Sequence, residues 1–222
     1  MNSFDKGIVV AARGSALSKA QVQEVLLALQ TYHPEVVFSP VWIMAQGDRD
    51  QETSLIGLEK TDFFTKEIDE AVLLKKCRIA IHSAKDLPEI IPSGLRVVAY
   101  TKGIDPGDVL VLREGECIEE LPALAKIGTS SQRRLENVHA ILPNAIGVDI
   151  RGTIEKRLAL LDEGKVDAVI MAKAALIRLL IERKTFVLPG PVAPLQGRLA
   201  IIAREDDLEM QELFSCLHDL NP

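Results

Sequence analysis

Eight charged side chains stand where this sequence passes from an apolar run into a short polar loop. Arg13 follows the run from Gly7 to Ala12, and Lys85 and Asp86 follow Ile79-Ala80-Ile81 in His82-Ser83-Ala84-Lys85-Asp86-Leu87-Pro88. Arg133 and Arg134 follow Thr129-Ser130-Ser131-Gln132, and Arg151 precedes Gly152 and Thr153. Arg157 lies on the helix expected after Arg151, and Arg178 comes after one more such run, Val166 to Met171. The guanidinium fork matches planar carboxylates and phosphates, and the excess of Arg over Lys favours ligands that carry those groups. Asp86 is the exception. A carboxylate among cations does not bind an anion; it pairs with a developing positive charge or carries a proton. Taken singly, each feature has a plainer reading: a surface ion pair for Lys85 and Asp86, a solvated Arg13, ordinary helix caps in Thr129, Ser130 and Ser131. Their repetition along the chain favours one ligand with several negative groups.

The elements that must position these groups alternate. A buried strand is expected over Gly7 to Ala12, then a helix over 17–32 with Val22, Val25, Leu26 and Leu29 at helical spacing and Ser15 or Ser18 as its cap. A strand over 36–44, a polar loop over 46–62 and a helix over 63–76 follow, with Phe64, Ile68, Val72 and Leu73 on its apolar face. Strands over 79–83 and 95–100 come next. Ile104-Asp105-Pro106-Gly107-Asp108 is a turn signal, and beyond it the pattern restarts with strands over 109–112, 147–150 and 166–171. The proline-rich 188–194 is a second crossing, and strand 199–203 with helix 208–220 close the chain. This predicts an α/β protein of two lobes, 1–103 with 198–222 and 104–197, joined by a double-crossover hinge around an interlobe cleft. Each strand's C-terminal end, opening onto a helix start, is an anion site in such sheets.

Composition narrows the function. With 222 residues and 47% hydrophobic content, the chain can bury a large core. A net charge of −6 gives no general attraction to nucleic acid, so any basic site is local. The polar start and the lack of an apolar run near 18 residues predict a cytoplasmic protein without a membrane span. Cys77, Cys117 and Cys216 are far apart and the four histidines are scattered, so neither a disulfide framework nor a metal site is expected.

At these residues the chain resembles the porphobilinogen deaminases (hydroxymethylbilane synthases). The matching segments are Ala12-Arg13-Gly14-Ser15-Ala16-Leu17, Phe64-Thr65-Lys66-Glu67, His82 to Pro88, Asp105-Pro106, Gly128-Thr129-Ser130-Ser131-Gln132-Arg133-Arg134, Arg151-Gly152 with Arg157, and Gln196-Gly197. They occur in collinear order over about 8–218. The resemblance implies periplasmic-binding-protein-like (type II) lobes and an enzyme of tetrapyrrole and haem biosynthesis. Four porphobilinogen molecules would lose ammonia and join into hydroxymethylbilane, on a dipyrromethane cofactor. Asp86 would hold pyrrole N–H groups and stabilise cationic intermediates. Arg13, Ser15, Ser83, Lys85, Thr129, Ser130, Ser131, Arg133, Arg134, Arg151, Gly152, Arg157 and Arg178 would bind acetate and propionate groups. Gln196 and the backbone near Gly197 would contact the cofactor, and Phe64 would stack on a substrate ring. Porphobilinogen is then the expected partner of a monomer, with no nucleic acid, membrane or metal.

The chain also departs from the family. Leu58-Glu59-Lys60-Thr61-Asp62 stands where a glycine- and lysine-rich loop is usual, with Lys60 as its substitute. Arg151-Gly152-Thr153 replaces Arg-Gly-Asn, and Gln46-Gly47-Asp48 replaces Arg-Gly-Asp. The third small domain, with the cysteine that holds dipyrromethane by a thioether, has no counterpart before Pro222. No cysteine here lies in the family's Gly-Gly-Cys context. The alternatives are a non-catalytic two-lobed binder of small polycarboxylates and an inactive, truncated relic of the enzyme.

Overall fold

A computed structural model of the chain describes residues 7–50, 53 and 61–219. In chain order its elements are β1 (Ile8–Arg13), α1 (Ala16–Gln30), β2 (Phe38–Ile43), α2 (Gln46–Arg49), α3 (Lys66–Leu73), β3 (Ile79–Ser83), β4 (Leu95–Tyr100) and β5 (Asp108–Val111). There follow β6 (Lys126–Gly128), α4 (Gln132–His139), β7 (Ile146–Val148), α5 (Ile154–Asp162), β8 (Ala168–Ala172), α6 (Lys173–Arg178), β9 (Thr185–Val187), β10 (Leu199–Arg204) and α7 (Leu208–Ser215). Two compact units result. The first takes its described residues from Met1–Arg49, Lys60–Ile104 and Arg198–Pro222, and the second from Asp50–Glu59 and Asp105–Gly197.

Each unit is built on a five-stranded mixed sheet of the same design. In the first the order is β2-β1-β3-β10-β4, with β1, β2 and β3 parallel and β10 antiparallel to both its neighbours. In the second it is β7-β6-β8-β5-β9, again with three parallel strands and one antiparallel strand, β5, next to an edge strand. This is the type II binding-protein topology expected of the sequence, and the strand that enters each sheet from the far side of a crossing is the antiparallel one.

The central strands β1, β3, β8 and β10 are apolar until their C-terminal ends, where Arg13, His82, Ser83 and Arg204 stand, because both of their faces are covered. In the second unit Val109, Val111, Val169 and Met171 pack with Leu158 and Leu161 of α5 on one face. Leu110, Ile127 and Ile170 pack with Val138 of α4 on the other. In the first unit Val10, Ile79, Ile81 and Ile201 meet Val22, Val25 and Leu29 of α1 and Phe214 of α7.

Several boundaries differ from expectation, each for a tertiary reason. The segment read as a loop from Gln46 begins with the short helix α2, and Gly47 in it lies against the Phe64 ring, where a Cβ would come within 2.2 Å of a ring carbon. Phe63 and Phe64 therefore stay in the turn before α3, which starts at Lys66. The helix ends at Leu73, and Lys75 has a left-handed φ of 58°. No helix among the described residues is long and apolar enough to cross a membrane. Lys60 lies outside the described residues.

Candidate functional site

In the first unit the C-terminal ends of β1 and β3 sit side by side in the sheet, and both open onto helical turns. Ser15 caps α1, its hydroxyl accepting from the Ser18 N–H at 3.2 Å. Ser83 ends β3 and accepts from the Gln21 amide at 2.7 Å. The next three residues form a 3-10 turn that carries Lys85 and Asp86, tied down by the Ala84 N–H donating to the Arg198 carbonyl at 3.0 Å. Arg13, Ser15, Ser18, Gln21, Phe64, Thr65, His82, Ser83 and Asp86 line one recess of about 60 Å³, room for a few water molecules.

Charge in this recess is unevenly matched. Arg13 forks onto Asp48, with Nε 3.2 Å from Oδ2 and Nη2 on Oδ1, and its guanidinium lies 4.5 Å from the Phe64 ring centre. The Phe64 ring thus has Gly47 and Arg13 as neighbours while still lining the recess. Asp86 is half-buried and has no hydrogen-bond or ion-pair partner among the described residues. Its carboxylate is open to whatever enters.

In the second unit β6 leads into Thr129, Ser130 and Ser131 and then α4. Thr129 Oγ1 accepts from the Ser131 N–H at 3.2 Å, and the Ser130 hydroxyl donates to the Ile150 carbonyl. Ser131 sits at the N-cap without a side-chain cap bond. Arg133 and Arg134 in the first turn of α4 converge on Asp108, the first residue of β5, which is 0% exposed. Asp108 Oδ1 accepts from Arg134 Nε at 3.0 Å and Nη2 at 2.6 Å, and from Gln196 Nε2 at 3.0 Å. Arg133 Nη1 lies 2.9 Å from Oδ2 at an angle too poor for a hydrogen bond, so this contact is an ion pair only. Burial alone would raise the Asp108 pKa. The Arg134 charge, with hydrogen bonds from Arg134 and Gln196 and the ion pair with Arg133, outweighs burial and holds it below the usual carboxylate value.

The remaining predicted side chains of this unit also have internal contacts. Arg151 donates to the Asp50 carbonyl at 2.8 Å, Arg157 to the Gly152 carbonyl at 3.0 Å and Arg178 to the Gly197 carbonyl at 2.8 Å. The Gln196 amide also donates to the Pro106 carbonyl at 2.6 Å. Gly197 has φ +87°, and a Cβ there would fall 2.6 Å from the Asp105 carbonyl oxygen, so only glycine lets the two crossing segments touch.

Three acids and one histidine went unrecognised in the sequence: Asp48, Asp69, Asp108 and His82. Asp69 and His82 form a buried pair, Oδ1 to Nε2 at 2.9 Å, from α3 to β3. A signal existed for each of the buried ones. Asp108 heads an apolar run, His82 continues the interior strand Ile79-Ala80-Ile81, and Asp69 lies one turn from Thr65 and next to Ile68. Among the described residues, no group of three His, Cys, Asp or Glu side chains is placed to hold a metal.

A family model described as "Porphobilinogen deaminase, dipyromethane cofactor binding domain" matches residues 8–212. A "Probable porphobilinogen deaminase" of Chlamydia muridarum is 45% identical over 206 residues, 92% of this chain and 84% of that one. A "Porphobilinogen deaminase" of Desulforudis audaxviator is 42% identical over 211 residues, covering 93% and 68%. Among solved structures, the regulatory domain of OxyR2 from Vibrio vulnificus has a TM-score of 0.57 at 11% identity, covering 98% of this chain and 94% of that one. A putative methionine-binding lipoprotein of Bacillus subtilis has a TM-score of 0.55 at 12% identity, covering 97% and 91%. These structures share the fold alone.

Proposed function

The chain belongs to the porphobilinogen deaminase family, and we propose that it joins porphobilinogen units into hydroxymethylbilane with release of ammonia. The observation that carries this reading is the unpartnered Asp86 carboxylate in a recess shared with Arg13, Ser15 and Ser83. When the aminomethyl C–N bond of porphobilinogen breaks, positive charge spreads over the methylene carbon and the pyrrole ring. A carboxylate already in place and unneutralised stabilises that charge without reorganising. A protein evolved only to hold polycarboxylates gains nothing from such a group, which argues against the pure binder.

Arg13, Ser15, Ser83 and Lys85 in the first unit, and Thr129, Ser130, Ser131, Arg133, Arg134, Arg151, Arg157 and Arg178 in the second, are the proposed anchors for acetate and propionate arms. Phe64 offers a ring for stacking, and Gln196 with Gly152 and Gly197 supplies amide and backbone contacts. A dipyrromethane has the same acidic arms, so this donor set fits it; bound, it supplies the free pyrrole carbon that accepts the first unit. The thioether is another matter. Burial pushes the thiol pKa of Cys77 and of Cys216 up, and a hydrogen bond with Glu120 does the same at Cys117. None is an activated thiolate. None of the three is therefore the point of attachment, and these 222 residues grip the primer by its carboxylates; intact-mass spectrometry of this 222-residue chain from a porphobilinogen-making cell should show no increment of two pyrrole units.

Incubation with porphobilinogen tests the function. Ammonia release together with a uroporphyrin signal after oxidation is expected. Tight porphobilinogen binding with neither product would overturn the assignment in favour of a binder.

A further inference from the structure

One wall of the first unit's recess is His82, whose buried partner Asp69 lies behind it, and the reaction above leaves this titratable pair idle. Asp69 is 1% exposed and His82 6%, and their 2.9 Å contact satisfies the usual requirement that a buried carboxylate have a partner. A pair that served packing alone would be closed on itself, and this one is not. Asp69 Oδ2 and the neighbouring Thr65 Oγ1 are both buried without a hydrogen-bond partner. His82 and Thr65 line the recess that holds Asp86, and His82 Nδ1 has no partner among the described residues.

A carboxylate on Nε2 fixes the ring proton there and leaves a lone pair on Nδ1, the arrangement by which a buried acid presents a basic imidazole to a reacting atom. The charged groups around the ring are Asp69 from α3, Arg13 from β1 and Asp86 from the turn after β3, while Glu67 of α3 pairs with Arg49. From α1 come Leu17, Ser18 and Gln21, none of them charged, and β10 places Ala200 opposite.

We propose that His82 Nδ1 accepts the proton released each time two pyrroles couple, with Asp69 as its positioning residue; this rests on the reading of the reaction given above. The aminomethyl group enters as an ammonium, the C–N bond breaks and ammonia leaves with the electron pair. Electrons of the acceptor pyrrole's free α-carbon then form the C–C bond to the methylene cation. The C–H bond on that α-carbon breaks last, its electrons restoring the aromatic ring while the proton passes to Nδ1 and on to solvent. Asp86 stays ionised throughout, so charge stabilisation and proton removal fall to different side chains.

His82→Gln separates the roles, because a glutamine amide can keep an N–H on Asp69 but has no basic nitrogen. The expected result is a kcat about 10²-fold below the parent with KM and Tm near parental values. A primary isotope effect should also emerge with porphobilinogen deuterated at the free α-carbon. Asp69→Asn should lower kcat less and change its pH profile. Independently of turnover, ¹⁵N NMR of the histidine-labelled parent should show the His82 ring protonated at Nε2 and bare at Nδ1. Parental kcat and isotope effect in His82→Gln would overturn the proposal, as would a ring protonated at Nδ1. Should His82→Gln not fold, the tautomer and the Asp69→Asn pH profile decide between the two outcomes. Failure of the parent itself to release ammonia would instead remove the reaction, and this proposal with it.

Discussion

The two units share one strand order and place their polar groups at the same ends of the same strands, yet they settle charge in opposite ways. In the first unit the cation Arg13 is occupied by Asp48, and the acid Asp86 is left open. In the second the acid Asp108 is fully buried under two arginines and an amide, and guanidinium groups outnumber it. Asp108 with Arg133 and Arg134 carries a net charge of +1. A common scaffold thus yields one surface suited to developing positive charge and another suited to bound anions. The difference comes from burial: Asp108 is wholly enclosed under its partners, whereas Arg13 and Asp48 both stay partly exposed and Asp86 is in no ion pair among the described residues.

The sharpest test of the second unit is to remove a partner from the buried acid. Arg134 has only 11% of its side chain exposed and makes two hydrogen bonds to Asp108, so Arg134→Leu leaves a buried carboxylate without its main counter-charge. A loss of about 3–5 kcal/mol in unfolding free energy is expected, read by denaturant titration. The Asp108 pKa is depressed in the fold, so its stabilisation is fully present above the unfolded value near 4 and is lost as pH falls through the lower folded value. Asp108→Asn should shrink that acid limb of the stability curve. An Arg134→Leu protein as stable as the parent would show that this arginine is no counter-ion.

The first unit is tested by removing its open charge. Asp86→Asn keeps shape and should leave Tm unchanged, since no partner is lost, while turnover falls at least about 10²-fold. Parental turnover would erase the distinction between the two surfaces.

Much of this layout is legible in the sequence, because it depends on local pattern. An apolar run of six residues before Arg13-Gly14-Ser15 and one of three before His82-Ser83 mark strand ends, and the restart after Asp105-Pro106 marks the second sheet. What the sequence does not reveal are partners distant along the chain. Asp108 reads as part of a turn until Arg134, 26 residues on, and Gln196, 88 residues on, close over it. Asp69 likewise shows no partner in the sequence until His82, 13 residues on, meets it from β3. The α2 helix is hidden for a related reason, since its Gly47 is chosen by the Phe64 ring that packs on it.

Arg133 should behave unlike its neighbour. Its side chain is 25% exposed, and its contacts with Asp108 and with the Pro191 carbonyl both run through Nη1, so Nε and Nη2 remain as donors for a ligand carboxylate. Arg133→Leu is expected to weaken porphobilinogen binding by roughly 1.5–3 kcal/mol, with a smaller loss of stability than Arg134→Leu. Equal stability losses in the two variants, with binding intact, would make both arginines structural.

The smallest effect belongs to the pair that quiets Arg13. Arg13 and Asp48 are each about a quarter exposed, so solvent screens their attraction, and the pair contributes no more than about 1 kcal/mol. In Asp48→Asn the amide oxygen can still accept from the Ala45 N–H, as Oδ2 does at 3.1 Å, so the start of α2 is preserved. What changes is competition. An entering carboxylate must now displace a charged rival from the Arg13 guanidinium, and in the variant it would displace a neutral amide. Porphobilinogen binding, measured by calorimetry, should therefore tighten by up to about fivefold while Tm falls slightly. Tenfold weaker binding would mean that Asp48 aims Arg13 at the ligand rather than holding it back, and the contrast with Asp108 would then be one of degree of burial rather than of role.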